Sequence, residues 1–243
     1  MNALNRTSEI MSRLFALTTV AAVMLVVLLA GCSTQAPAPC QIQPSGNGPY
    51  TVKFTNTGTA TGSCPAVLVD QWFMENYAGA AGSNVLTIGM ISVNGPGAPF
   101  PPDPTSSVYG RGTFSSHDPD SNDLCTLPTV NTFDGPGGST YAVKNLAFLS
   151  TALYIGSQWK GDVTYAPVKG GPTCDYSAQA INPSTTCASN ADCNPTSQPV
   201  NSGINYLYDQ GCNLTDFASL TGDPATGICF FNAPFPSLGG FKP

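Results

Sequence analysis

His117 is the only histidine in the chain, and it sits in Ser115-Ser116-His117-Asp118. A serine hydrolase would have to use it as the base, with a serine as nucleophile and an acid to orient the ring. No serine lies in Gly-x-Ser-x-Gly, the elbow that exposes the nucleophile in α/β-hydrolases. The closeness of Ser115 and Asp118 in sequence carries little weight, because triads assemble in space. Just beyond, Asp118, Asp120, Asn122 and Asp123 offer oxygen ligands like the opening of a calcium loop. The EF-hand pattern then needs Gly at its sixth position and Glu at its twelfth. Those places hold Asp123 and Thr129, so only a shallower Ca²⁺ site, as in a calcium-dependent adhesin, stays open. Glu75 is the sole glutamate of the chain beyond Glu9, which leaves little basis for a paired-carboxylate glycosidase. Trp72, Trp159, Tyr154 and Tyr165 could form a sugar-stacking platform, but they fall in strand-like runs where core packing is the commoner role. Gly135-Pro-Gly-Gly138 has no following lysine and makes no phosphate loop. No residue therefore earns a catalytic, cofactor-binding or metal-ligating assignment.

The cysteines are more informative. There are nine, and setting Cys32 aside leaves Cys40, Cys64, Cys125, Cys174, Cys187, Cys193, Cys212 and Cys229. An even set in an oxidising compartment implies four disulfides. Zinc would need tighter pairs than Cys187 and Cys193, the closest two. Spacing leaves the connectivity open. Cys40 with Cys64, bracketing the first strand, is the single pair it favours.

Cys32 stands apart because of what precedes it. Arg6 and Arg13 form a basic start, and 14–30 (LFALTTVAAVMLVVLLA) carries no charge. An apolar run of about 17 residues sits at the lower limit for spanning a bilayer, so length alone does not separate an anchor from a signal peptide. The sequence Leu29-Ala30-Gly31-Cys32 does separate them, since it puts a small residue directly before a cysteine where polarity begins. At this point the chain resembles a bacterial lipoprotein precursor. The resemblance implies recognition of Leu29, Ala30 and Gly31 by the lipoprotein signal peptidase, removal of residues 1–31, and lipid attachment at Cys32. It implies three acyl chains in a Gram-negative envelope, more than the two signals stable anchoring needs. Ser33, in place of a retaining Asp, points to the outer membrane. Residues 32–39 would be a lipidated, Pro- and Ala-rich tether.

Strands must carry the rest. In 50–56 (YTVKFTN) Tyr50, Val52 and Phe54 alternate with polar residues, the period of a half-buried strand. Further strands are expected at 85–93, 141–148, 153–159, 162–165 and 174–180, with Lys160-Gly161 as a hairpin turn. The stretch 66–77 (AVLVDQWFMENY) reads as a strand or a short helix. Proline-rich 94–107 must be a loop. The fold class is mainly β: a disulfide-stapled antiparallel β-sandwich-like domain over 40–181, followed by an irregular cysteine-rich extension over 182–243. That extension loosely resembles small cysteine-rich modules of secreted bacterial lipoproteins. It is poor in aliphatic residues and needs its disulfides as staples.

Beyond residue 31 the chain has six cations against thirteen acids, a net charge of −7. Phosphate recognition needs clustered Lys and Arg, so a nucleic-acid partner is excluded. The expectation is a lipid-anchored cell-envelope protein, non-catalytic, acting in structure or in binding an envelope protein or glycan. The alternatives are an envelope hydrolase using His117 and a calcium-dependent adhesin.

Overall fold

Tyr50, Val52 and Phe54 fall on one face of an extended chain, and that face is buried in β1 (Tyr50–Asn56). The computed structural model describes residues 40–43, 48–78, 84–90, 106–150, 156–196 and 204–238. The signal segment, its Cys32, the tether, Tyr154 and most of the proline-rich loop lie outside them. The ambiguous stretch 66–77 forms a strand, β2 (Val67–Ala78), paired antiparallel to β1. The register sets Trp72 against Tyr50, Asp70 against Val52 and Leu68 against Phe54.

The remaining strands of the main sheet are β3 (Asn84–Met90), β4 (Gly110–Thr113), β5 (Leu124–Asp134), β6 (Thr140–Leu149), β7 (Gln158–Ala166) and β8 (Cys174–Ile181). Their spatial order is β4-β3-β2-β1-β8-β7-β6-β5, every pair antiparallel. Two four-strand meanders thus join through β1 and β8, and the sheet curls until β4 faces β5. The result is the expected disulfide-stapled antiparallel domain, with its two packed layers supplied by opposite walls of one nearly closed barrel. Backbone bonds Ser115 N–H to Thr126 O (2.8 Å) and Asp134 N–H to Ser107 O (2.7 Å) flank the closing seam. Glycine makes the seam possible. A Cβ on Gly112 would lie 2.4 Å from the Thr129 carbonyl oxygen, and one on Gly110 2.5 Å from the Phe133 ring.

An eight-stranded barrel is just wide enough to fill with side chains or to hold one small ligand. Aromatic residues fill this one. Trp72 stacks on Trp159 at 5.7 Å between ring centroids and meets Phe133 and Tyr141 edge-on at 5.8 and 5.9 Å. Ala178, Ala180 and Gly161 share the inner face of β7 and β8 and leave room for these rings.

Two expectations fail here. Lys160-Gly161 is no hairpin turn: both lie inside β7, with Lys160 opposite Gln179 and Gly161 opposite Ala178. Gly161 is needed because β6 bulges between Lys144 and Ala147 and pushes Leu146 to within 2.8 Å of where a Cβ would stand. Nor does Cys40 pair with Cys64. The disulfides are Cys40–Cys125, Cys64–Cys174, Cys187–Cys212 and Cys193–Cys229. β1 pairs with β8 as well as β2, so the β1–β2 connection bearing Cys64 lies beside Cys174 at the start of β8. Cys40 is held elsewhere: its N–H donates to the His117 carbonyl, and its own carbonyl accepts from Asn76 and Asn84.

The extension builds a small sheet, β10-β11-β9, from β9 (Thr186–Cys187), β10 (Gln210–Asn213) and β11 (Gly227–Phe231), with one helical turn, α1 (Ala218–Thr221). It packs on the outer face of the barrel. Leu149 and Ile181 enter its core beside Phe217, Ile228 and Phe230. Tyr208 shares a 2.6 Å hydrogen bond with Ser157, and Lys53 of β1 donates to Asp216 at 2.5 Å.

Candidate functional site

The Ser-His-Asp cluster lies on the connection from β4 to β5, open to solvent. The His117 ring pairs with its neighbour Asp118 at 2.8 Å, with 58% and 59% of the two side chains exposed. Ser116 donates to the Asp118 backbone carbonyl, not to the imidazole. A triad instead buries its acid behind the ring and aims the hydroxyl at the other nitrogen.

The acidic run is used locally too. Asp120 Oδ1 accepts the backbone N–H groups of Asn122 and Leu124 at 2.8 and 2.9 Å, and these bonds, Leu124 first, hold its carboxyl below the usual range. Asp118 is turned to His117, and Asp123 takes a left-handed backbone conformation. The three carboxylates do not converge. Among the described residues the one grouping of three potential ligand atoms within 4.8 Å is Cys187, Cys193 and Cys229. Those sulfurs belong to two abutting disulfides and supply no thiolate.

Trp72 and Trp159 are fully buried, and Tyr165 is half-buried on the inner face of β7, so these rings form the core and no surface platform. Val168 is the one strongly exposed large apolar side chain on the described barrel, with Tyr206, Leu214 and Leu238 exposed on the extension. The barrel's described surface therefore lacks a broad apolar face.

The group that stands out is Asp70, which sequence reasoning passed over. Alternation in 67–74 (VLVDQWFM) puts it on the face of Leu68, Trp72 and Met74, inside the barrel and opposite Val52. Among the described residues its one hydrogen bond of normal geometry is from the N–H of its neighbour Gln71, at 2.7 Å. Burial pushes its carboxyl up to about 6, and the Gln71 N–H and Trp72 side chain offset only part of that rise. The Trp72 indole N–H lies close enough to the Asp70 carboxyl to lower it but makes no hydrogen bond of normal geometry, and the Trp159 indole N–H has no hydrogen-bond partner among the described residues. Tyr141 is close enough that the Asp70 charge, after burial itself, raises the phenol.

A carboxyl whose pKa rises on folding favours the native state while protonated, so its contribution is complete below about pH 4 and is lost as pH climbs through about 6. Asp70→Asn should abolish that decline. At pH 7.5 it should stabilise the fold by about 1–2 kcal/mol, less than the full shift converts to because part of the carboxylate sees water. Urea unfolding of both proteins from pH 4 to 8 checks this; parallel pH profiles would refute it.

These observations define a class: an eight-stranded, disulfide-stapled β barrel with an aromatic interior and one inward carboxylate. The protein-family model MlpA matches residues 48–183, more than half of the chain, and the chain belongs to the MlpA family. The match begins just before β1 and ends just after β8, so it covers the barrel strands. No curated protein and no solved structure is similar enough to match.

Proposed function

We propose that this chain is a lipid-anchored protein of the bacterial cell envelope, held at the outer membrane, whose barrel works as a non-catalytic structural or binding module. The observation that carries this is Cys32, placed directly after Leu29-Ala30-Gly31 at the end of a charge-free run. Cysteine use supports it: the other eight are all consumed by four disulfides, as suits an oxidising compartment. Among the described residues no helix is long and apolar enough to cross a membrane. Attachment in this reading comes from acyl chains at Cys32. Ser33 supports the outer membrane, and a glycan or another envelope protein is the partner class.

Cys32→Ser removes the thiol that would accept the lipid. The variant should accumulate uncleaved or leave the detergent-extractable outer-membrane fraction. Normal size together with normal fractionation would overturn the lipoprotein reading.

A further inference from the structure

We propose that the two disulfides of the extension form a thiol-exchange switch. An incoming thiol converts Cys187–Cys212 and Cys193–Cys229 into Cys187–Cys193 and Cys212–Cys229. The exchange needs these four cysteines alone and is independent of lipid anchoring at Cys32.

The Sγ atoms of Cys187, Cys193 and Cys229 all lie within 4.8 Å of one another. The Cys187 sulfur is therefore close to both ends of the neighbouring Cys193–Cys229 bond. Among the described residues no other three cysteine sulfurs come together in this way. Cys187, Cys193 and Cys229 are buried, whereas Cys212 is partly open to solvent. An attacking thiolate forms a mixed disulfide with the sulfur it reaches and expels the other as thiolate. Attack at Cys212 thus releases Cys187, the sulfur already beside the second bond.

The Cys187 thiolate attacks Cys193, forming Cys187–Cys193 and expelling Cys229 as thiolate. Cys229 stands directly opposite Cys212 in the β10–β11 register. Its N–H turns to the Thr185 carbonyl and the Cys212 N–H to the Asn190 side chain, so neither bonds across to the other strand. Such non-hydrogen-bonded pairs bring Cα atoms to about 4.5 Å, within the roughly 4.4–6.8 Å that a disulfide spans. Cys229 then attacks Cys212, forming Cys212–Cys229 and expelling the incoming thiol unchanged. Two protein disulfides are exchanged for two others, with no net oxidation or reduction. The consequence is mechanical. In the present pairing both bonds run from the 187–193 segment to the strands β10 and β11. In the exchanged pairing neither does: one bond closes around the 3₁₀ turn Asn190–Cys193, and the other staples β10 to β11. The turn and β9 are then held by packing and hydrogen bonds alone.

The mature chain, given a trace of cysteamine, is alkylated, cut before aspartate without reduction, and its linked peptides are weighed. Asp192, Asp209, Asp216 and Asp223 separate all four cysteines. Peptides joined by Cys187–Cys193 and by Cys212–Cys229 should appear together, at least about tenfold faster than without the thiol. Cys40–Cys125 and Cys64–Cys174 should stay paired, and amide exchange over 186–193 should quicken in step. Cys212→Ala holds the switch midway, with a free Cys187 thiol beside Cys193–Cys229. In that variant the alkyl label should spread over Cys187, Cys193 and Cys229 with no thiol added. The cysteamine arm uses the parent chain and decides even where Cys212→Ala folds poorly. Absence of the exchanged peptides from the parent chain, reshuffling that reaches the barrel disulfides equally, or a label that stays on Cys187 alone overturns the switch.

Discussion

Replacing Cys64 and Cys174 by alanine should lower the unfolding free energy by about 4–5 kcal/mol, and replacing Cys40 and Cys125 should cost about the same. These bonds join residues 110 and 85 apart in sequence, so each removes a large closure entropy from the unfolded chain. A domain of this size is typically stable by about 5–15 kcal/mol, so either loss uses up much of the margin. Alanine is the right replacement at Cys40 and Cys125, because both are fully buried and a serine hydroxyl would have to be satisfied there. The two extension bonds span 25 and 36 residues and should be worth about 3–4 kcal/mol each. Their loss should also differ in kind. The extension has a thin core of its own, completed by Leu149 and Ile181 of the barrel. Without Cys193–Cys229 it should come away locally, breaking the Tyr208–Ser157 bond and the Lys53–Asp216 pair, while the barrel unfolds as before. Urea melts followed by tryptophan emission and by amide exchange separate these outcomes. Equal shifts of one common transition for all four pairs would refute the distinction.

Trp72→Ala should cost about 3–5 kcal/mol, the range for deleting a large buried aromatic side chain. Trp72 is wholly buried and contacts the rings of Phe54, Phe133, Tyr141 and Trp159 from four directions. Few nearby groups can collapse into the space, since Ala178, Ala180 and Gly161 are small and fixed in strands. Trp72→Phe should cost much less. It keeps most of the apolar volume and removes an indole N–H that makes no hydrogen bond of normal geometry among the described residues. Denaturant unfolding measures both variants, and near-ultraviolet circular dichroism reports the loss of the Trp72–Trp159 stack. A Trp72→Ala cost under about 1 kcal/mol would mean the interior is not packed around this ring.

Local pattern was a good guide wherever one strand face is buried and the other is not. The alternation of Tyr50, Val52 and Phe54 led directly to β1; β6 and β8 followed from short strand-like runs between turn residues, and β3 from an apolar run that reads as buried on both faces. β5 escaped notice because Pro128 interrupts 124–134 (LCTLPTVNTFD). A proline removes a ladder donor and normally rules out a central strand. β5 tolerates it because it pairs with β6 on one side and meets β4 only across the seam on the other. Gly161 misled for the complementary reason: a glycine that looks like a turn serves to admit Leu146 from a neighbouring strand. Disulfide connectivity was out of reach, since Cys64 meets Cys174 only because β1 closes onto β8, a contact between distant parts of the chain.

The candidate site was less legible still. His117 and the aspartates of 118–123 attracted attention by residue type, yet they make their bonds with near neighbours on an exposed loop. Asp70 looked like any other polar residue in a strand. Its significance comes from the register that turns it inward, beside Trp72 and away from any described cation. A single polar residue within an apolar alternation was the available signal, and only the strand order gave it meaning.

The intact mass of the native protein, extracted from the outer membrane without reduction, tests the central proposal most directly. The expected mass is that of residues 32–243 bearing the diacylglyceryl and amide-linked acyl groups on Cys32, less the hydrogens lost in forming four disulfides. An unprocessed chain, a cut at another position, a Cys32 without lipid, or any alkylatable thiol among the other eight cysteines would contradict it.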